Sequence, residues 1–151
     1  MKLSMAAELA VRGILALAER YGREPVPLEE ICQQRKLPKE YLTKIFSLLG
    51  RAGLIRAVRG KRGGYVLARS PREVTLLAVV EAVEGPLAVN LCQHTPSRCD
   101  QDDCRVRPIW ADIQNKVRQA LAGFTLEQLI SQEAQLAQAA PDQSPLAAQS
   151  A

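Results

Sequence analysis

The sequence has one histidine, His94, no run approaching the ~20 unbroken apolar residues of a membrane span, and no internal repeat. Between Arg51 and Arg72 it has no acidic residue, and after Arg118 it has no lysine or arginine. Each gap excludes something. A lone histidine outside any visible triad gives nucleophilic catalysis no support. No glycine-rich loop leads from a strand into a helix as a nucleotide phosphate cradle would require, which removes the usual signature of a redox enzyme. The opening Met1-Lys2-Leu3-Ser4 runs into a helical pattern bearing Glu8, Arg12, Glu19 and Arg20, unlike an export or transit signal. The expectation is a cytoplasmic protein, not an enzyme, with no membrane partner.

What is present suits one ordinary domain or a small domain with an oligomerisation arm. The chain has 151 residues, 47% hydrophobic and 24% charged, which excludes wholesale disorder. At this length roughly two-thirds of the unfolded surface can be buried, so a core forms without staples. Net charge is +4, but eleven of the twenty Lys and Arg lie between Arg35 and Arg72, where Glu40 is the sole acid. A solvated face usually mixes acids among its bases. This concentrated segment is the footprint of a polyanion-binding surface.

Periodicity places the elements. Ser4 caps a helix to about Tyr21, with Ala10, Ile14, Leu17 and Tyr21 at helical spacing. Gly22-Arg23-Glu24-Pro25 breaks it, and Pro27 opens a short second helix ending near Lys36. Pro38 opens a third, stopped at Gly53. On that helix Tyr41, Leu42, Ile45, Phe46, Leu48, Leu49 and Ala52 form one arc, and Lys39, Glu40, Thr43, Lys44, Ser47 and Arg51 the other. Leu54 to Arg59 and Tyr65 to Arg69 read as hairpin strands around Gly60–Gly64. Thr75 caps a helix from Leu76 to Val83, halted by Gly85-Pro86. A long helix from near Val106 to Leu121 carries a stripe of Trp110, Ile113, Val117, Ala120 and, just beyond, Phe124, flanked by Ile109 and Leu121 and suited to a core or a partner seam. Thr125 and Gln128 form a capping box for a last, short helix.

The fold class is therefore mainly α with a small β-hairpin wing. The expected divisions are a winged helix-turn-helix domain at 1–87, a cysteine-bearing loop at 88–105, a dimerisation helix with a short terminal helix at 106–136, and a disordered tail at 137–151. Two short helices, a tight turn and a basic hairpin suit DNA. One helix fits a major groove and offers base edges the polar side chains Lys39, Tyr41, Thr43, Lys44, Ser47 and Arg51. The hairpin tip, with Arg59, Lys61, Arg62, Gly63 and Gly64, can meet phosphate or enter the minor groove, and Arg59 and Arg62 are the candidates for insertion.

Three of the four cysteines, Cys92, Cys99 and Cys104, fall within thirteen residues, near His94 and Asp100, Asp102 and Asp103. Three soft ligands suit an iron–sulfur cluster with a weaker, displaceable fourth ligand. Zinc on Cys92, His94, Cys99 and Cys104 is a second reading, although no C-x2-C pair is present. A metal-free thiol switch is a third. Cys32, amid helical residues, reads as a small, partly buried side chain.

With these placed, the chain resembles the Rrf2 family of bacterial transcription regulators over roughly residues 1 to 135. The resemblance rests on Tyr41-Leu42-x-x-Ile45-Phe46, Gly53-Leu54-Ile55, Arg59-Gly60-x-x-Gly63-Gly64-Tyr65 and Ala82-Val83-Glu84-Gly85-Pro86. It implies a homodimer joined through the Trp110–Phe124 stripe, two winged heads on a palindromic double-stranded DNA operator, and in cysteine-bearing members a 2Fe–2S or 4Fe–4S cluster. Carried over, Cys92, Cys99 and Cys104 become ligands, and Tyr41, Thr43, Lys44 and Arg59 fall at DNA-contact positions. Thr43 stands where some members carry Glu, so operator preference does not transfer. IscR-like members place a histidine three residues after the last cysteine, where this chain has Arg107. NsrR-like members use a carboxylate from the partner's first helix, which matches Glu8, with His94 the alternative. Glu8 also suits a bland role, near a helix N-terminus and one turn before Arg12. The functional expectation is a dimeric repressor set by a cluster responding to nitric oxide, redox state or iron–sulfur status. The alternatives are the same fold with a thiol switch or zinc site and, more distantly, an electron-transfer protein.

Overall fold

The computed structural model describes residues 3–139. Helix α1 (Met5–Ala18) begins where the Ser4 hydroxyl accepts the Ala7 amide at 3.2 Å, leaving one fewer orphan donor in the first turn. Its apolar face is lined with small residues, and α3 crosses it closely. A Cβ at Gly13 would lie 2.8 Å from Leu42 Cδ1 and 2.9 Å from Phe46 Cε1. Helix α2 (Leu28–Arg35) starts after Pro27 and ends at Lys36, whose φ of 53° marks the left-handed cap. Helix α3 (Lys39–Arg51) follows Pro38 and buries Leu42, Ile45, Phe46 and Leu49. Tyr41, Leu48 and Ala52, expected beside them, are not buried, and Tyr41 is 60% exposed. They sit on one flank of the arc, about a quarter turn from its centre, beyond what the crossing helix covers.

Strands β1 (Ile55–Val58) and β2 (Gly64–Leu67) pair antiparallel, Ile55 opposite Leu67 and Val58 opposite Gly64. Both are a little shorter than expected. Val26 adds an edge that periodicity did not show: its amide donates to Tyr65 O at 3.0 Å, and the Tyr65 amide donates to Val26 O at 2.9 Å. Helix α4 (Leu76–Glu84) is capped by Thr75 Oγ1, which accepts the Ala78 amide at 3.2 Å. Helix α5 (Arg107–Ala122) follows the cysteine loop, and helix α6 (Leu126–Ala139) completes the order.

The last helix is the main departure. Expected to be short, it has 14 residues, and Leu126 at its start is fully buried. The capping box forms as expected, the Gln128 amide donating to Thr125 Oγ1 at 3.4 Å and the Thr125 amide to Gln128 Oε1 at 2.9 Å. Leu126 N donates to Val74 O and Leu76 N to Phe124 O, at 2.9 and 2.8 Å, so α6 returns to the head and packs on α1. Arg35 fastens it there. Its guanidinium, 17% exposed, reaches both Glu133 oxygens at 3.1 and 3.2 Å and also pairs with Glu19. The expected tail, 137–151, lies outside the described residues from 140 onward.

Helix α5 buries no residue. Its stripe divides in two. Trp110, Val117 and Leu121 are half-buried on the face where Gln114 Oε1 accepts the Val89 amide at 3.2 Å and Arg118 pairs with Glu81. Ile109, Ile113 and Phe124 are exposed, as is Ala120, and Val106 just before the helix joins them. Among the described residues, no helix is long and apolar enough to cross a membrane.

Candidate functional site

The outer face of α3 presents Tyr41, Thr43, Lys44, Ser47 and Arg51, all exposed. Two of the expected contacts are engaged within the chain. Thr43 Oγ1 donates to Lys39 O at 2.9 Å, turning its hydroxyl back along the helix. Lys39 Nζ pairs with Glu29 on α2. Hydrogen bonding between them raises the Lys39 ammonium above its ordinary range and holds the Glu29 carboxyl below the usual carboxylate range. Lys44, Arg51, Arg56, Arg59, Lys61 and Arg69 have no acidic partner among the described residues. Uncompensated like charges repel one another, and that repulsion is relieved by a polyanion.

The wing is locked to α3. Phe46 from the helix and Tyr65 from β2 meet edge to face, centroids 4.9 Å apart and planes at 76°. At the tip, Gly60 has φ 120°, which favours glycine. A Cβ at Gly63 would lie 2.5 Å from Val58 O, and one at Gly64 2.4 Å from Val26 O. The two glycines expected to admit phosphate are thus already required by the chain's own backbone. Arg62 lies 3.4 Å from Glu24, a pairing that sequence reasoning missed.

In the cysteine loop, Asn90 Oδ1 accepts the Leu91 amide at 2.8 Å and opens a single 3-10 turn, Leu91–Gln93. Cys92, Cys99 and Cys104 are free thiols, each half-buried. Gln93 Nε2 donates to Cys92 Sγ and to Arg107 O, at 3.3 Å each, holding the first thiol against the start of α5. The Arg107 amide donates to Cys104 O at 3.1 Å, and its guanidinium donates to Gln101 O. Arg107 Nε is buried without a partner among the described residues. His94 lines a separate cleft of about 450 Å³ with Glu84, Arg98 and Arg118. Among the described residues, no three His, Cys, Asp or Glu side chains converge as a metal site. The donor chemistry, three soft thiols on an irregular loop, fits a cluster; the loop of the single chain is not preassembled around one.

Glu8 is exposed near the start of α1. Arg12, one turn on, does not pair with it, because its guanidinium donates to Arg35 O at 2.6 Å. The Ser4 amide donates to Glu84 Oε1 at 2.7 Å, anchoring this end of α1 on the end of α4. Cys32 is half-buried against the core, and burial, with Glu29 adding to it and Lys39 opposing it, pushes its thiol above the ordinary range.

The helix-turn-helix with its basic wing and the helices that follow form an architecture that known proteins share. The sequence profile of the Rrf2 family, described as an iron-dependent transcriptional regulator, matches residues 3–132. The chain belongs to the Rrf2 family. It is 32% identical to the HTH-type transcriptional regulator IscR of Sodalis glossinidius over 133 residues, 88% of this chain and 81% of that protein. Its fold is similar to that of CymR, the global cysteine regulator of Bacillus subtilis, with TM-score 0.75, 30% identity, and coverage of 87% of this chain and 98% of that one. It is also similar to T. potens IscR, with TM-score 0.74, 28% identity and 93% of each chain covered. This Rrf2 chain is a transcriptional regulator of the IscR and CymR type, and its winged-helix architecture is the one expected from sequence.

Proposed function

We propose that the protein is a homodimeric repressor whose hold on a double-stranded DNA operator is set by the state of Cys92, Cys99 and Cys104. The observation that carries this reading is their position. Three free thiols occupy the loop that joins the reading head to α5, the helix with no buried residue. Helix α3 enters a major groove, with Lys39, Tyr41, Thr43, Lys44, Ser47 and Arg51 toward base edges and phosphates. Arg59, Lys61 and Arg62 bring the wing to the adjacent minor groove. Ile109, Ile113 and Phe124 meet their counterparts on a second copy. Cys92, Cys99 and Cys104 would hold an iron–sulfur cluster, with Glu8 of the partner subunit the favoured fourth ligand and His94 the alternative. Such a group, when bound, supplies a labile cross-link sensitive to oxygen, nitric oxide and iron supply. Glu8 is exposed and without an internal partner among the described residues, as a ligand for another subunit must be.

The test is an anaerobic preparation analysed for visible absorption, iron and sulfide. A duplex is then enriched by the protein from a randomised pool and titrated with each form at matched salt. Colour, iron, and different affinities for cluster-loaded and cluster-free protein support the reading; equal affinities refute the sensor. A second reading has support in the likeness to CymR. Two loop thiols would then form a disulfide, passing two electrons and two protons to an oxidant. Colourless protein whose DNA affinity changes with oxidation supports that reading.

A further inference from the structure

The turn between α1 and α2 stands beside the wing, and its cations have no part in the recognition face described above. Arg20, Arg23 and Glu24 confront Lys61, Arg62 and Gly63 across a cleft of about 580 Å³. On the other side of the same turn, Arg20 and Arg23 share a cleft of about 430 Å³ with Arg56. Arg20 is committed to Glu30. Arg62 and Glu24 are 3.4 Å apart with side chains 86% and 79% exposed, a weak pair that competing ions disrupt. Arg23, Lys61 and Arg56 have no acidic partner among the described residues. The two Val26–Tyr65 hydrogen bonds, at 3.0 and 2.9 Å, fix the distance between turn and wing.

We infer that Arg23 binds a DNA phosphate on the strand facing away from α3, together with Lys61 and Arg62, and that Glu24 opposes this contact. The inference rests on the DNA-binding reading above and adds a second phosphate strip to it. A hairpin tip seated in a minor groove ~6 Å wide has a sugar–phosphate strand on each side. Helix α3 attends to one. The cleft between the wing tip and the α1–α2 turn receives the other. A phosphodiester carries a full charge and oxygens that a guanidinium can bind in a fork, so it displaces Glu24 from Arg62. The freed Glu24 carboxylate then faces the phosphate as a like charge and lowers affinity.

The probe is the duplex enriched by the wild-type protein, titrated by fluorescence anisotropy over a salt series. Arg23→Ala is expected to lower the slope of log affinity against log salt by about one. It should also weaken binding about three- to tenfold at low salt. Glu24→Gln is expected to tighten binding about two- to fivefold at low salt, an effect that fades as salt rises. A gain of affinity does not come from misfolding, so the second variant keeps the test decisive. An unchanged slope for Arg23→Ala, while Arg59→Ala lowers it, overturns the Arg23 contact and leaves DNA binding standing. Wild-type protein that enriches and binds no duplex even at low salt overturns both.

Discussion

Lys39 and Glu29 hold each other charged on the surface beside the recognition helix. The folded Glu29 carboxyl titrates below its unfolded range, so the small stabilisation from the pair is complete at neutral pH. It is lost as pH falls through and below the ordinary carboxylate range. At neutral pH, Glu29→Gln leaves Lys39 unopposed, and anisotropy titrations should show tighter DNA binding at low salt with no change in melting temperature beyond ~2 °C. Equal affinity would place Lys39 outside the contact. Arg59, free of acidic partners among the described residues, should behave as a phosphate contact, its alanine variant lowering the salt slope by about one. In the cysteine loop, Cys99→Ser should abolish the absorption of an anaerobic preparation, whereas Cys32→Ser, replacing a core-packed thiol, should leave it unchanged.

At the level of elements, glycines explain how the wing is built. Gly64→Ala would set a methyl group 2.4 Å from Val26 O and 2.5 Å from Val26 C, backbone atoms with no freedom to rotate away. Thermal unfolding should show a loss of about 1–3 kcal/mol. Wild-type stability would mean that the wing is loosely held, contrary to the Val26–Tyr65 bonds.

Much of this level was legible in the sequence. Ser4, Thr75 and the Thr125–Gln128 box announce helix starts through local side-chain chemistry, and each forms the expected hydrogen bond. The hairpin was legible from Gly60 to Gly64 between alternating residues. Tyr41 was ambiguous, because a helical period gives the direction of a side chain but not the width of the neighbour that covers it. Val26 was hidden for another reason: a single bridging residue between prolines has no period. The Arg62–Glu24 and Arg35–Glu133 contacts span 38 and 98 positions, and no local pattern encodes such partners. The three cysteines were plain in the sequence, but whether they meet depends on a loop whose shape no propensity fixes.

For the molecule as a whole, two arrangements matter. Arg35 binds α6 to α2 and, through Glu19, to the end of α1, so the chain that leaves α5 comes back to the reading head. Arg35→Ala should cost about 1–2 kcal/mol, because it leaves Glu133 and Glu19 without their shared donor in a partly buried setting. A denaturant titration with unchanged midpoint would show that the clip carries no weight. The second arrangement is the outward apolar row on α5. Ile109→Glu with Ile113→Glu should convert the species seen in sedimentation from dimer to monomer and weaken operator binding by removing the second head. A dimer that persists would place the seam elsewhere.

That row has a consequence for how the protein behaves in a test tube. A helix of 16 residues that packs on the head along one face only, with Ile109, Ile113 and Phe124 left exposed on the other, is held more firmly when another copy lies against it. Helicity measured by circular dichroism should therefore decline on progressive dilution, and the unfolding midpoint should climb with protein concentration as mass action repopulates the paired form.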